Sequence, residues 1–216
     1  MSITPKQEKL LKELGYEPVK DKAPQPITPT VVQGRDLFQT PNYAVDLLVP
    51  YLPKSVEWVW EPAAGEGKIV KRLENHGLRV IPSDLRGYGD REPVNFLELS
   101  YNNYPGELDV FDGQVAIITN PPFSLKKQFY DACRSYGIPF ALLIPADYSM
   151  WTIKACMDGA EKIVPTRRID YITPSGKSGA TGQSADFHSL WLTWGFNLGK
   201  TETFVELSLK GKKENI

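Results

Sequence analysis

The apolar run Val115-Ala116-Ile117-Ile118-Thr119, followed at once by Asn120-Pro121-Pro122-Phe123, constrains this chain more than any other stretch. A short run rich in β-branched side chains predicts a buried strand. Two prolines, which have no N–H to give a sheet ladder, predict that the strand stops abruptly. An amide, a carbonyl and an aromatic ring are thereby set at a strand's carboxyl end, and in an open α/β sheet ligands bind in the crevice beyond those ends.

A second strand end carries a glycine turn. Residues 56–60 predict a strand, Glu61-Pro62-Ala63-Ala64-Gly65-Glu66-Gly67-Lys68 follows directly, and a helix then runs through Ile69, Val70 and Leu73 to a stop near His76-Gly77. Strand, glycine turn and helix form the architecture in which backbone passes close to a nucleotide-like ligand. Gly65 and Gly67 leave room for it, and the Glu61 carboxylate can accept hydrogen bonds from an amine or hydroxyl. The next strand, 78–81, ends near Asp84, where an acid takes ribose hydroxyls in a βαβ nucleotide site.

Upstream, Thr40 is expected to cap a helix that Pro41 opens, with Val45, Leu48 and Val49 as its buried face and Pro50 and Pro53 ending it. Downstream, the pattern predicts a third strand at 93–97, a helix at 125–136, a strand at 140–145 and a helix at 150–157. A strand candidate at 167–172 and a last core strand at 189–194 complete it. This alternation implies an α/β chain with a mostly parallel sheet covered on both faces.

The totals bound the rest. A chain of 216 residues, 41% of them hydrophobic, buries one substantial core and leaves no room for a large second domain. Charges nearly cancel at 25 Lys+Arg against 26 Asp+Glu, so a polyanion would need a local patch rather than a global basic field. Cys133 and Cys156 are too few and too far apart for a disulfide framework or zinc cluster, which suits a reducing cytoplasm. No apolar stretch approaches the ~18 residues of a membrane span, and the first residues lack a signal peptide's apolar core. We therefore expect a cytoplasmic protein without membrane contact. Leu10, Leu11 and Leu14 predict a short N-terminal helix, and Pro18, Pro24, Pro26 and Pro29 an extended linker after it. The expected organisation is an arm over 1–35, one domain over 36–208 and a tail over 209–216, with a Gly/Ser/Thr-rich loop at 174–185.

The glycine turn and the Asn-Pro-Pro-Phe stretch together resemble S-adenosylmethionine-dependent amino-methyltransferases, specifically the small, phage-type DNA adenine-N6 methyltransferases. Glu61 to Gly67 is similar to that family's acid-Pro-x-x-Gly-x-Gly cofactor motif, and Asn120-Pro121-Pro122-Phe123 to its Asn/Asp-Pro-Pro-aromatic amine-holding motif. Phe38-Gln39-Thr40-Pro41 resembles its Phe-x-Thr-Pro cofactor motif. The resemblance spans residues 38–194, in the family's order.

It implies a Rossmann-like class I methyltransferase fold with a seven-stranded, mostly parallel sheet, and S-adenosyl-L-methionine as cofactor. Glu61, Pro62, Ala63, Gly65 and Gly67 would line the methionine and ribose portion, Asp84 would take the ribose hydroxyls, and Asn95 with Phe96 would border the cofactor's adenine. Phe38 and Thr40 would close the methionine end. Asn95 departs from the aspartate the family often carries, although an amide oxygen can still meet an adenine amino group. Asn120 and the Pro121 carbonyl would hold the amine, with Pro122 stiffening the turn and Phe123 stacking on the target base; neither a metal nor a covalent nucleophile is needed. Lys126, Lys127, Arg167, Arg168 and Lys177 are the candidate phosphate contacts. DNA is the expected partner. The alternatives are an RNA base or protein glutamine amide as acceptor, or a non-catalytic methyltransferase-like binding subunit.

Overall fold

The computed structural model describes residues 38–99, 114–172 and 187–208. The expected N-terminal helix and arm, the 174–185 loop with Lys177, and the tail after 208 lie outside them.

The strands are β1 (Trp58–Glu61), β2 (Arg79–Pro82), β3 (Val115–Thr119), β4 (Phe140–Pro145), β5 (Glu161–Pro165), β6 (Ser189–Trp194) and β7 (Glu202–Val205); the α-helices are α1 (Asn42–Asp46), α2 (Lys68–Asn75), α3 (Lys126–Tyr136) and α4 (Met150–Met157). The strands form one seven-stranded sheet in the order β2-β1-β3-β4-β6-β5-β7. β6 runs antiparallel to β4 and β5, and every other pairing is parallel. This is the Rossmann-like, mostly parallel seven-stranded sheet expected from the sequence. No helix among the described residues is long and apolar enough to cross a membrane.

Side-chain alternation divides the core between the two faces. Val59, Ala116, Ile118, Ala141 and Leu143 pack with Tyr43, Ala44 and Val45 of α1 and Ile69 and Leu73 of α2. Trp60, Ile117, Phe140, Leu142 and Ile144 face the other way, against Phe129, Tyr130, Cys133 and Tyr136 of α3 and Ala155 of α4. All five residues of β3 are buried, as expected of a central parallel strand whose two faces are both covered. The sheet also has a topological switch point: β1 leads to β2 on one side, whereas β3 joins β1 on the other. The crevice beyond the carboxyl ends of β1 and β3 is the expected ligand position in such a sheet, and both sequence motifs leave from those ends.

Three local expectations are corrected, and one further strand is present. Residues 93–97 form no strand; Asn95 Oδ1 accepts the Leu97 N–H at 3.2 Å and caps a 3-10 turn, Phe96–Glu98. The strand expected at 167–172 lies earlier, as β5, and only Ile172 of that stretch pairs, with Gln39. Ile169 and Tyr171 are instead buried as core residues. Pro41, not Thr40, occupies the N-cap of α1, and no side chain caps that helix. β7, a short partly exposed edge strand, was not anticipated.

Candidate active site

β1 ends on Glu61, which is 0% exposed. Its Oε1 accepts the Ala63 N–H at 3.1 Å, while Oε2 has no hydrogen-bond partner. Burial pushes the Glu61 carboxyl up to about 8. The nearby Thr119 hydroxyl and the Ala63 N–H pull it down, and Asp84 adds to the rise. Thr119 Oγ1, although near enough to favour the carboxylate, forms no hydrogen bond of good geometry.

The turn after Glu61 needs its glycines. Gly65 and Gly67 have φ of +52° and +76°, the left-handed region that side chains with a Cβ resist. At Gly67 there is a second reason: a Cβ there would collide with the Tyr88 hydroxyl. Tyr88 comes from the turn after β2, so this constraint is tertiary. Gly67→Ala is expected to cost at least about 1–2 kcal/mol from backbone strain alone, with more from the collision. In a Tyr88→Ala background the penalty should shrink by about 1 kcal/mol, read by denaturant unfolding of the four proteins of the cycle. Equal penalties in both backgrounds would show that Tyr88 does not reserve the position.

β2 leads to Asp84, whose two carboxylate oxygens accept the Gly65 N–H at 3.0 Å and the Arg86 N–H at 2.9 Å. Asp84 therefore holds the glycine turn from below, and each oxygen keeps a lone pair for a further donor. Asn95 has its oxygen engaged with the Leu97 N–H, as above. Phe96 packs edge-on to Trp60 at 5.1 Å and lies 4.9 Å from Phe129, so it is both a core ring and part of the cleft wall.

Beyond β3, Asn120 Nδ2 donates to the Phe38 carbonyl oxygen at 3.2 Å. That bond fixes the amide's orientation, because the flipped amide would set two oxygens against each other. Asn120 Oδ1 is left buried and unpartnered. Phe38 is in turn held by its neighbour, since Gln39 exchanges two backbone hydrogen bonds with Ile172, at 2.8 and 3.0 Å. Phe123 stands edge-on to Tyr171 at 5.7 Å and to Phe187 at 5.4 Å, in a half-buried aromatic cluster beside the Asn120 turn.

These segments enclose a cleft of about 890 Å³, mouth included. Phe38, Gln39 and Thr40 form one wall, and Pro62 to Gly65 with Lys68 and Ile69 form another. Asp84 to Arg86 and Val94 to Leu97 continue the lining, which closes with Asn120, Pro122, Leu125 and Phe129. Of the residues expected to bind cofactor, Phe38, Thr40, Pro62, Ala63, Gly65, Asp84, Asn95 and Phe96 line it. Glu61 is buried beneath it at the end of β1, and Gly67 is turned toward Tyr88. Gln39, Lys68 and Arg86 line the cleft without having been singled out; Gln39 lies within the Phe-x-Thr-Pro motif, the one signal that could have found it.

The candidate phosphate contacts are dispersed. Lys126 is paired with Asp147 at 2.9 Å and Lys127 with Asp131 at 2.6 Å, while Arg167 and Arg168 are exposed on the segment after β5. None of these four lines the cleft.

No protein-family profile matches the sequence, and no curated protein matches it. Among solved structures, the chain is similar to a Vibrio vulnificus YJ016 protein described as the modification subunit of a type I restriction enzyme (12% identity, TM-score 0.49, 82% of this chain and 51% of that one). It is also similar to a Pyrococcus horikoshii protein described as an RNA methyltransferase (14% identity, TM-score 0.46, 86% of this chain and 95% of that one). A third is the 23S rRNA methyltransferase ErmE (14% identity, TM-score 0.43, 74% of this chain and 68% of that one). The chain thus spans about half the length of the first of these.

Proposed function

We propose that this chain is an S-adenosylmethionine-dependent methyltransferase that acts on the exocyclic N6 amine of adenine in DNA, in the cytoplasm. The observation that carries the reading is the Asn120 amide, whose nitrogen is tied to Phe38 and whose oxygen is a buried, unpartnered acceptor at the switch point. A buried acceptor without a partner costs stability, and an amine donor would complete it. Glu61 and Thr119, at the neighbouring strand ends, are fully buried beneath the cleft rather than in its lining.

The bound cofactor would supply an electrophilic methyl group on a sulfonium. Glu61, Pro62, Ala63, Gly65 and Gly67 would form its methionine and ribose site, with Phe38 and Thr40 at the methionine end. Asp84 would receive ribose hydroxyls on its free lone pairs, and Asn95 and Phe96 would flank the adenine. The exocyclic nitrogen of adenine is a poor nucleophile because its lone pair is delocalised into the ring. Asn120 Oδ1 and the Pro121 carbonyl, each accepting one N–H, would draw that nitrogen toward a tetrahedral, attacking geometry. Pro122 stiffens the turn that presents both acceptors. The Phe123 ring, fixed by Tyr171 and Phe187, would stack on a base that has left the duplex. Lys126, Lys127, Arg167, Arg168 and Lys177 remain the candidate phosphate contacts, the first two only if they exchange their present carboxylate partners.

The test is incubation with methyl-labelled cofactor and DNA, RNA or protein extract in parallel. Label in DNA, recovered as N6-methyladenine, is the expected result. Label only in RNA or in protein glutamine would move the reading to those acceptors, and cofactor binding without transfer to any of them would favour a binding subunit.

A further inference from the structure

Gln39 has a side chain that the described part of the fold does not use. Its backbone makes the two bonds to Ile172, but among the described residues its side-chain amide has no hydrogen-bond partner. That amide lines the cleft and reaches toward the glycine turn: a Cβ built on Gly65 would lie 3.4 Å from Gln39 Nε2 and 3.7 Å from Oε1. A donor and an acceptor are therefore carried from one wall to within contact of the other.

The lining contains two groupings of different chemistry. Phe96 and Phe129, 4.9 Å apart, cluster with Leu97 and make one end apolar, whereas Gln39 beside Gly65, and Asn120 tied to Phe38 two residues before Thr40, make the other polar. A purine ring belongs against the apolar end. Under the cofactor reading above, on which this inference rests, the reacting methyl must face Asn120. The cofactor's α-amino-acid arm is then left for the polar end. We propose that the Gln39 side-chain amide recognises this arm, Nε2 donating to its carboxylate and Oε1 accepting from its ammonium. One amide suits such a zwitterion because it offers both roles at one site.

The test compares two ligands by calorimetry, without turnover. S-adenosylhomocysteine carries the amino-acid arm, and 5′-methylthioadenosine lacks it. Gln39→Ala is expected to weaken S-adenosylhomocysteine about tenfold, the size of a lost hydrogen bond to a charged group, and to leave methylthioadenosine within about twofold. Gln39→Glu keeps the acceptor but sets a carboxylate against a carboxylate, so it should weaken S-adenosylhomocysteine further. Both variants should keep the wild-type melting temperature within a few degrees, because the backbone bonds to Ile172 remain. Unchanged S-adenosylhomocysteine affinity in Gln39→Ala, or equal weakening of both ligands, overturns the inference while leaving the cofactor reading standing. A wild-type protein that binds neither ligand overturns both.

Discussion

Asn120→Ala should lower methyl transfer by about 10²–10³-fold or more while leaving cofactor affinity within about threefold, as judged by single-turnover transfer of labelled methyl and by calorimetry. The first magnitude is that of removing one fixed hydrogen-bonding group from a transition state that develops charge. The second follows from how the wall around Asn120 is built. Losing Nδ2 removes one bond to the Phe38 carbonyl, but Gln39 stays joined to Ile172 by two backbone bonds, and the Phe38 ring stays stacked on Tyr171 at 6.0 Å. Asn120→Asp should separate the two tasks of the amide. It keeps an acceptor for the amine, yet places a second oxygen 3.2 Å from the Phe38 carbonyl, where the wild type has a donor. The repulsion should displace the Phe38 segment, so this variant should lose cofactor affinity as well as rate. If Asn120→Ala instead lost cofactor affinity in step with rate, the residue would be a cofactor-wall element and the proposed division of roles would fail.

What could be read in the sequence was whatever neighbours in the chain decide. The strands that carry the motifs, and the glycine turn, follow from β-branched runs, prolines and glycines within a few residues of one another. The misplaced elements depend on partners far along the chain. Glu161 and Lys162 make β5 look like a solvated segment, but Lys162 is only 5% exposed because it pairs with Glu202 at 3.0 Å and lies over the Tyr148 ring. Residues 93–97 look like a strand by composition, yet the Asn95 side chain offers the Leu97 N–H a nearer acceptor than any ladder. The same limit holds at the site. That Gly67 answers to Tyr88, that Phe123 leans on Tyr171 and Phe187, and that Asn120 is oriented by Phe38 are tertiary facts with no local signature.

Glu61 supports a prediction of opposite character, a residue whose replacement should stabilise the ligand-free protein. Its carboxyl titrates at about 8 in the folded chain against an ordinary value of 4.5, because burial disfavours the charged form. Between those values the folded state keeps a proton that the unfolded state has lost, so stability must fall as pH rises. The contribution is fully present below about pH 4.5 and is lost as pH climbs through 8. The groups that set the slope are the Thr119 hydroxyl and Ala63 N–H, which favour the charge, and Asp84, which opposes it; Tyr88 and Cys133 feel the Glu61 charge in return. Glu61→Gln keeps the shape of the neutral acid and has no proton to lose, and its new amide can donate to the unpartnered Thr119 Oγ1. Denaturant unfolding should therefore show the variant more stable than wild type by on the order of 3 kcal/mol at pH 7, with the difference vanishing near pH 4 and growing toward pH 9. Under the cofactor reading, affinity should move the other way, since an amide cannot give up a proton and become a carboxylate to meet a cationic ligand, as the acid can. A stability gain with an affinity loss is what a buried acid retained for binding rather than folding predicts. Parallel pH–stability curves for the two proteins would show that Glu61 is not held neutral in the fold, and would remove the strain on which that argument depends.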